Sequence, residues 1–256
     1  MIIQPRGDRL LIIRQTDHAA LSGEFARHWG NDVFTLPEPQ ESLRLAAEHH
    51  DDGWLLWEAA PHLNPATRRP YQFTDLPITE HLAFYRQGIA SVLKRDGYAG
   101  LLVCLHLAGL YERRGDGDPV RNRILDELHD QQRMLREELQ MVTASPRTLQ
   151  EGPLTANSRL LLTFDRLSLY FCTEPPHPAT IGPVPRDSRG RETELELRPL
   201  EGHTVAIHPY PFDVPQLRVG VPAAVVPDRP YRDDDDFRAT LAAAPTEQLA
   251  FTLRSP

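Results

Sequence analysis

Lysine is almost missing from this chain of 256 residues, because Lys94 is the only one and the other basic residues are arginines. A lysine nucleophile or a lysine phosphate clamp is therefore excluded everywhere except at position 94. An anionic substrate would have to be held by arginine, whose planar guanidinium binds carboxylates and phosphates through two parallel hydrogen bonds.

Positive charge is in the minority, and long apolar runs are missing as well. The formal net charge is −8 and the pI is about 5.8, which disfavours a general surface for nucleic acid or for an anionic membrane. No apolar run approaches the roughly 18 residues that a transmembrane helix needs. The N-terminal stretch MIIQPRGDRLLIIRQ lacks a basic leader and a cleavage site, so we expect no signal peptide and a cytoplasmic protein.

Cysteine is scarce, and the two that occur, Cys104 and Cys172, stand alone in segments with a helical pattern. Isolated cysteines in a cytoplasmic protein are typically buried free thiols. We therefore expect no disulfide between them.

Six segments place apolar residues on one helical face. A proline ring suits the start of a helix but not its interior, so the second segment begins directly after Pro39. To within about two to four residues at each end, the predicted helices cover residues 16–29, 40–57, 79–94, 98–114, 119–142 and 156–172.

The two ends of the chain carry strand patterns instead. Around the turn residues Pro5 to Asp8, the stretches MIIQ and RLLIIRQ predict a small hairpin. Fourteen of the 24 prolines lie from Pro175 onward, which argues against long helices there. After a proline-rich connector, ELELRPL, HTVAIHPY, QLRVGVPAAVV and EQLAFTL read as short strands. The acidic run from Asp233 to Asp236 is predicted to be a solvated loop.

These patterns predict an α+β protein that is mainly α. Residues 1–173 would form a helical bundle with a small N-terminal β-hairpin, and residues 174–256 a proline-rich connector and a β-rich region packed on that bundle. The C-terminal part is too small to bury a stable core alone. It therefore needs the apolar surface of the helices and the strand edges of the hairpin.

Side chains that bind metals recur on the apolar faces of five of the predicted helices. The oddest stretch is AEHHDDGW, in which two histidines and two aspartates interrupt the second helix. A single histidine on an apolar face is ordinarily a hydrogen-bonded core residue. Several such imidazoles and carboxylates facing one another in a bundle would leave uncompensated charge, which a divalent cation resolves. The set comprises His18, His50, Asp51, His81, His106 and Asp165.

The order of this set, His, His-Asp, His, His, Asp, resembles that of the HD-domain superfamily of metal-dependent phosphohydrolases and its diiron oxygenase branch. The resemblance covers residues 15–172 and implies an HD-like helical bundle. At finer grain the whole chain resembles a bacterial family of unknown function. The resemblance also implies two divalent transition-metal ions, foremost iron, with manganese, nickel or zinc as alternatives. The first ion would be held by His18, His50, Asp51 and Asp165. Asp51 would bridge to a second ion on His81 and His106.

The activity implied is that of a dimetal-dependent hydrolase, in which a metal-activated bridging water attacks a small phosphorylated or otherwise anionic substrate. A mixed-valence diiron oxygenase on the same ligands is one alternative, and a non-catalytic metal- or ligand-binding module is another. Trp54 follows Gly53 where many HD hydrolases have a lysine, so that phosphate contact is missing.

The candidate catalytic residues are Asp51, Tyr85 and Arg86, the last as a contact to the anionic substrate. Arg113 and Arg166 are two further arginines that could reach it. Nucleic acid and membranes are not expected as partners.

His49 is a rival to His50 as a ligand. We prefer His50, because it directly precedes an aspartate that is followed by x-Gly.

Overall fold

The protein is described by a computed structural model that covers residues 1–113, 118–142 and 146–256, with the backbone alone for Thr79, Leu82 and Pro146. Its helices are α1 (Gln15–Arg27), α2 (Gln40–His49), α3 (Leu55–Ala59), α4 (Ile78–Leu93), α5 (Gly97–Glu112), α6 (Pro119–Val142), α7 (Glu151–Thr173) and α8 (Asp234–Ala242). Its strands are β1 (Ile2–Arg6), β2 (Arg9–Ile13), β3 (Leu63–Asn64), β4 (Arg69–Pro70), β5 (Ala179–Pro185), β6 (Glu192–Pro199), β7 (Thr204–His208), β8 (Gln216–Pro227) and β9 (Thr246–Arg254).

A seven-stranded mixed sheet is as prominent as the helices. Its strand order is β1-β2-β8-β9-β7-β6-β5, and β7 and β9 are the parallel neighbours within it. The prediction of a mainly α, HD-like bundle with a small hairpin is therefore wrong, because the hairpin is one edge of this large sheet and the protein is α+β. Strands far apart in sequence pair in it, and such pairing leaves no local signal in the chain.

The N-terminal hairpin and the C-terminal strands meet at β2 and β8. These strands are antiparallel, with Leu10 opposite Val226 and Ile12 opposite Ala224. Successive side chains of a strand point to opposite faces, and here both faces are covered. Leu11 belongs to the core beneath the sheet, whereas Leu10 packs in a second cluster on the other face. The division of the chain into domains at residue 173 stays a prediction.

Two segments of the C-terminal region differ from expectation. The acidic run is not a solvated loop: the Asp233 carboxylate accepts a hydrogen bond from the backbone N–H of Asp236 at 2.8 Å and caps α8. Aspartates suit this first turn because the N-terminal N–H groups lack partners within the helix. Part of the expected connector is the strand β5, which lies at the sheet edge, where prolines are tolerated.

The predicted helix 40–57 is broken by a turn. Helix α2 ends at His49, a 3₁₀ turn covers Asp52–Trp54, and α3 follows. A side chain at Gly53 would clash with the carbonyl oxygen of Phe84, so only glycine permits this turn to approach α4. The turn carries His50 and Asp51 toward the interior.

Other features of the chain follow the sequence more closely. Helix α6 has the predicted bounds, and the predicted end of the fourth helix at Arg114 lies outside the described residues. Cys104 and Cys172 are buried free thiols, as predicted. Within the described ranges, no helix is both long and apolar enough to cross a membrane.

Candidate metal centre

Five of the six predicted ligands lie in one buried cluster, to which four helical segments contribute. Helix α1 supplies a histidine, the end of α2 a histidine and an aspartate, α5 a histidine and α7 an aspartate. Each of the five residues is at most 8% exposed. This five-residue cluster consists of His18, His50, Asp51, His106 and Asp165.

The donor atoms of the cluster have the spacing of ligands around a cation. The Nε2 atom of His18 lies 3.2 Å from Oδ1 of Asp165, and Asp51 Oδ2 lies 3.7 Å from Nε2 of both His18 and His50. The Nε2 atom of His106 lies 3.6 Å from Oδ2 of Asp165. Two atoms that each lie about 2.1 Å from one ion are separated by roughly 3.0–3.5 Å in octahedral or tetrahedral geometry. The observed distances are close to that range.

Two of the imidazoles are turned toward the cluster by hydrogen bonds on their other nitrogen. The Ser168 hydroxyl donates to the carbonyl oxygen of His18 at 2.7 Å, so its oxygen accepts the Nδ1–H of the His18 ring, also at 2.7 Å. The Nδ1–H of His50 donates to the carbonyl oxygen of Ala47 at 2.9 Å. When these two rings are neutral, the lone pair is therefore on Nε2, in the tautomer that a metal ligand needs.

Several buried nitrogen atoms of the cluster have no hydrogen-bond partner in the described part of the chain: Nε2 of His50 and both ring nitrogens of His106. Leaving a buried polar atom unsatisfied costs about 1–3 kcal/mol. A cation would satisfy the ligand nitrogens directly, so the residues present fit a metal ion.

The charges of the cluster also call for a cation. Burial raises the pKa of Asp51. Burial alone would raise the pKa of Asp165 too, but the imidazoles of His18 and His50 hold it well below its usual range. Burial would lower the pKa of His50, yet the carboxylates of Asp51 and Asp165 raise it to about 9. Burial lowers the pKa of His106 to about 3, which keeps this ring neutral, as a ligand must be.

The sixth predicted ligand, His81, lies on α4 and is also buried. Its ring centroid is 5.4 Å from that of Trp54 and 5.8 Å from that of Tyr85, with both rings in edge-on contact. Among the described residues, the cluster contains two groups of three donors close enough to share an ion, and His81 belongs to neither of them. Its role as a ligand of a second ion stays a prediction.

The other two residues predicted to act in catalysis are also on α4. Tyr85 packs edge-on against His81 and Tyr111. Arg86 is on the exposed side of the helix, where its guanidinium pairs with Glu127 of α6. This ion pair holds the Arg86 charge on the surface.

The neighbouring histidines of the AEHHDDGW stretch have different surroundings. His49 pairs with Asp52 at 3.1 Å and with Nη1 of Arg95 at 2.8 Å, on the outer side of the turn. His50 is the one of the two that faces the cluster.

Ser168 was not identified from the sequence. It lies one turn after Asp165 on α7, so the same helix supplies a carboxylate and the group that orients His18. That spacing is the signal that could have identified it.

The comparisons with known proteins give one match. A family model described as "Protein of unknown function (DUF3891)" matches residues 1–228, a range that contains the whole cluster and reaches the end of β8. No curated protein and no solved structure matches the chain.

Proposed function

Since the chain belongs to the DUF3891 family of proteins of unknown function, its activity has to be inferred from the site, and we propose that it is a metal-dependent hydrolase of a small anionic substrate. The observation that carries this proposal is the five-residue cluster, a buried group of imidazoles and carboxylates at ligand spacing. Some of its nitrogens have no hydrogen-bond partner among the residues that the structure describes.

The order of the donors along the chain supports the kind of site. His18, the pair His50-Asp51, and Asp165 follow one another as the HD-domain superfamily has them. The proposal therefore includes a distant relation to that superfamily, limited to the metal ligands and independent of the fold-class prediction that was wrong. Similar ligands on unrelated folds are common, so the site and its chemistry carry the argument.

The position of His106 favours one ion over two. The sequence assigned this histidine to a second ion, but its ring lies in one group of donors with His50 and Asp165, which the sequence assigned to the first. A mixed-valence diiron oxygenase requires both ions, whereas a hydrolase can work with a single Lewis acid. This difference favours the hydrolase over the oxygenase.

A divalent ion supplies Lewis acidity and lowers the pKa of a water molecule in an open coordination position. The residues of the chain do the rest of the work. Asp51 and Asp165 provide the compensating negative charge, and Ser168 holds the ring of His18 in its orientation. Burial of all five donors excludes bulk water, which strengthens their electrostatic interaction with the ion.

The proposal is tested by hydrolysis assays on protein reconstituted with iron, manganese, nickel or zinc. The probes are p-nitrophenyl phosphate and bis(p-nitrophenyl) phosphate, a generic phosphomonoester and phosphodiester. We expect turnover that depends on the metal and is abolished in Asp165→Asn. His177→Ala is the matched control, because this histidine is exposed and does not belong to the cluster. Bound metal without turnover of either probe would instead favour a non-catalytic binding module.

A further inference from the structure

Two arginines beside the helices of the five-residue cluster have no carboxylate partner among the described residues. Arg113 caps the C-terminal end of α5, and Arg166 directly follows Asp165 on α7. In the described part of the chain, neither guanidinium forms an ion pair. Other arginines of the same helices differ in this respect: Arg159 of α7, for example, pairs with Glu192.

The Arg113 side chain extends back along α5 toward the cluster. A Cβ atom added to Gly109 would lie 3.3 Å from Nη1 of Arg113, so the guanidinium covers this glycine. Gly109 is about one turn beyond His106, on the helix face that leads to the cluster. Burial is the main cause of the low pKa of His106, and the positive charge of Arg113 lowers it further. The Asp165 carboxylate in turn raises the pKa of Arg113, which burial lowers. The contact with Gly109 places the guanidinium within about one turn of His106 on α5.

The Arg166 side chain is held by a hydrogen bond to the backbone of β5. Its Nη1 donates a hydrogen bond to the carbonyl oxygen of Gly182 in β5 at 3.0 Å, which uses one of the five N–H groups of a guanidinium. Burial and the positive charge of Arg166 both lower the pKa of Arg113. Asp165, the residue before Arg166, has its Oδ2 atom 3.6 Å from Nε2 of His106 on α5, so the two helices that carry these arginines meet at the cluster.

Two positive charges that have no ion-pair partner among the described residues favour the binding of an anion. In the metal-free chain, Asp51 and Asp165 offset part of this positive charge. A bound divalent ion would neutralise those carboxylates. The positive charges of the two arginines would then be available to bind an anionic substrate. An oxyanion has enough acceptor oxygens to bind both guanidinium groups at once.

We propose that Arg113 and Arg166 form the subsite that holds the oxyanion group of the substrate, a phosphate or a carboxylate, beside the metal centre. The inference rests on the proposed function, because a subsite beside the metal centre has a role only if the bound ion acts on an anionic substrate. It also assigns the anion contact to these two residues in place of Arg86, whose charge is paired with Glu127.

The test is calorimetric titration of the full-length, metal-loaded protein with inorganic phosphate and, separately, with acetate. We expect Arg113→Gln and Arg166→Gln each to weaken the binding of the preferred anion by about tenfold or more, the loss typical of a charge-assisted hydrogen bond. Metal content and melting temperature should stay as in the wild type. Arg159→Gln, a control on the same helix as Arg166, should bind the anion as the wild type does.

Unchanged affinity for both anions in Arg113→Gln and Arg166→Gln, at normal metal content, would overturn the subsite alone. A wild-type protein that retains no metal would overturn the proposed function itself, and metal analysis of the same samples separates the two failures. If a glutamine variant does not fold, the lysine variant replaces it. Because lysine keeps the charge but loses the planar fork, it should bind the anion less tightly than the wild type, and wild-type affinity in it would count against the subsite.

Discussion

His18 of α1 and Asp165 of α7 face each other in the buried interior, with Nε2 of the histidine 3.2 Å from Oδ1 of the aspartate. One turn further along α7, Ser168 holds the opposite nitrogen of the same imidazole. Helix α7 therefore sets both the position of one ligand and the orientation of another. The geometry of the cluster depends on how α1 packs against α7.

The Ser168 hydroxyl is expected to increase the affinity of the site for its metal. Ser168→Ala removes the acceptor of the His18 Nδ1–H, and the loss of such an orienting contact typically weakens metal binding by about 10–100-fold. Competition with a chelator of known affinity measures the change. Ser158→Ala, on the same helix, is the control and should bind metal as the wild type does. Equal affinity in the two variants would show that the hydroxyl does not orient a ligand.

Removal of the metal is expected to destabilise the fold. A ligand present at 100–1,000 times its dissociation constant stabilises the native state by roughly 3–4 kcal/mol. A chelator should therefore lower the melting temperature of the wild type, whereas Asp51→Ala, which has lost a ligand, should respond much less. Circular dichroism checks that the helical content of the variant is kept. If the chelator lowers the melting temperature of both proteins equally, the stabilisation does not come from metal bound at the cluster.

Gly53 is expected to be intolerant of a side chain. In Gly53→Ala the new methyl group would clash with the carbonyl oxygen of Phe84, and overpacking of this kind costs about 1–3 kcal/mol, occasionally more. Because the turn that carries His50 and Asp51 has to move, we expect metal affinity to fall along with stability. Chemical denaturation and metal titration of the same variant test both effects. Wild-type stability would mean that the turn can separate from α4 without cost.

The C-terminal strands are expected to be required for folding. A fragment of residues 1–173 lacks β8, the partner of β2, and exposes Leu10 and Ile12, which the full chain buries. We expect this fragment to aggregate or to unfold without cooperativity. The measurements are its solubility and its thermal unfolding beside the full chain. A soluble fragment that melts cooperatively and binds metal would show that the C-terminal region is an autonomous appendage.

The helices carried most of the information that the sequence offered about the site. Their apolar stripes correctly placed His18, His106 and Asp165 in the interior, because a helix fixes which residues share a face. The same reasoning put His81 inside, where it is, but a periodicity cannot tell which neighbours a buried side chain meets. Its contacts with Trp54 and Tyr85 depend on how α4 packs.

The sheet could not be predicted in the same way. Strand β5 lies in a stretch rich in proline, and β2 finds its partner β8 more than two hundred positions later in the chain. The break after His49 has a similar origin, because it depends on the close approach of Gly53 to α4. These features come from contacts between distant segments, on which local propensity has no bearing.

Metal stoichiometry tests the central claim most directly. The protein is purified anaerobically without chelating resins, and its metals are quantified by elemental mass spectrometry beside His50→Ala, Asp165→Ala and the control His129→Ala, a histidine exposed on α6. We predict about one equivalent of a divalent transition metal in the wild type and in the control, and a loss of most of it in the two cluster variants. A wild-type protein without stoichiometric metal, which also takes up none of the four candidate ions on reconstitution, would contradict the account.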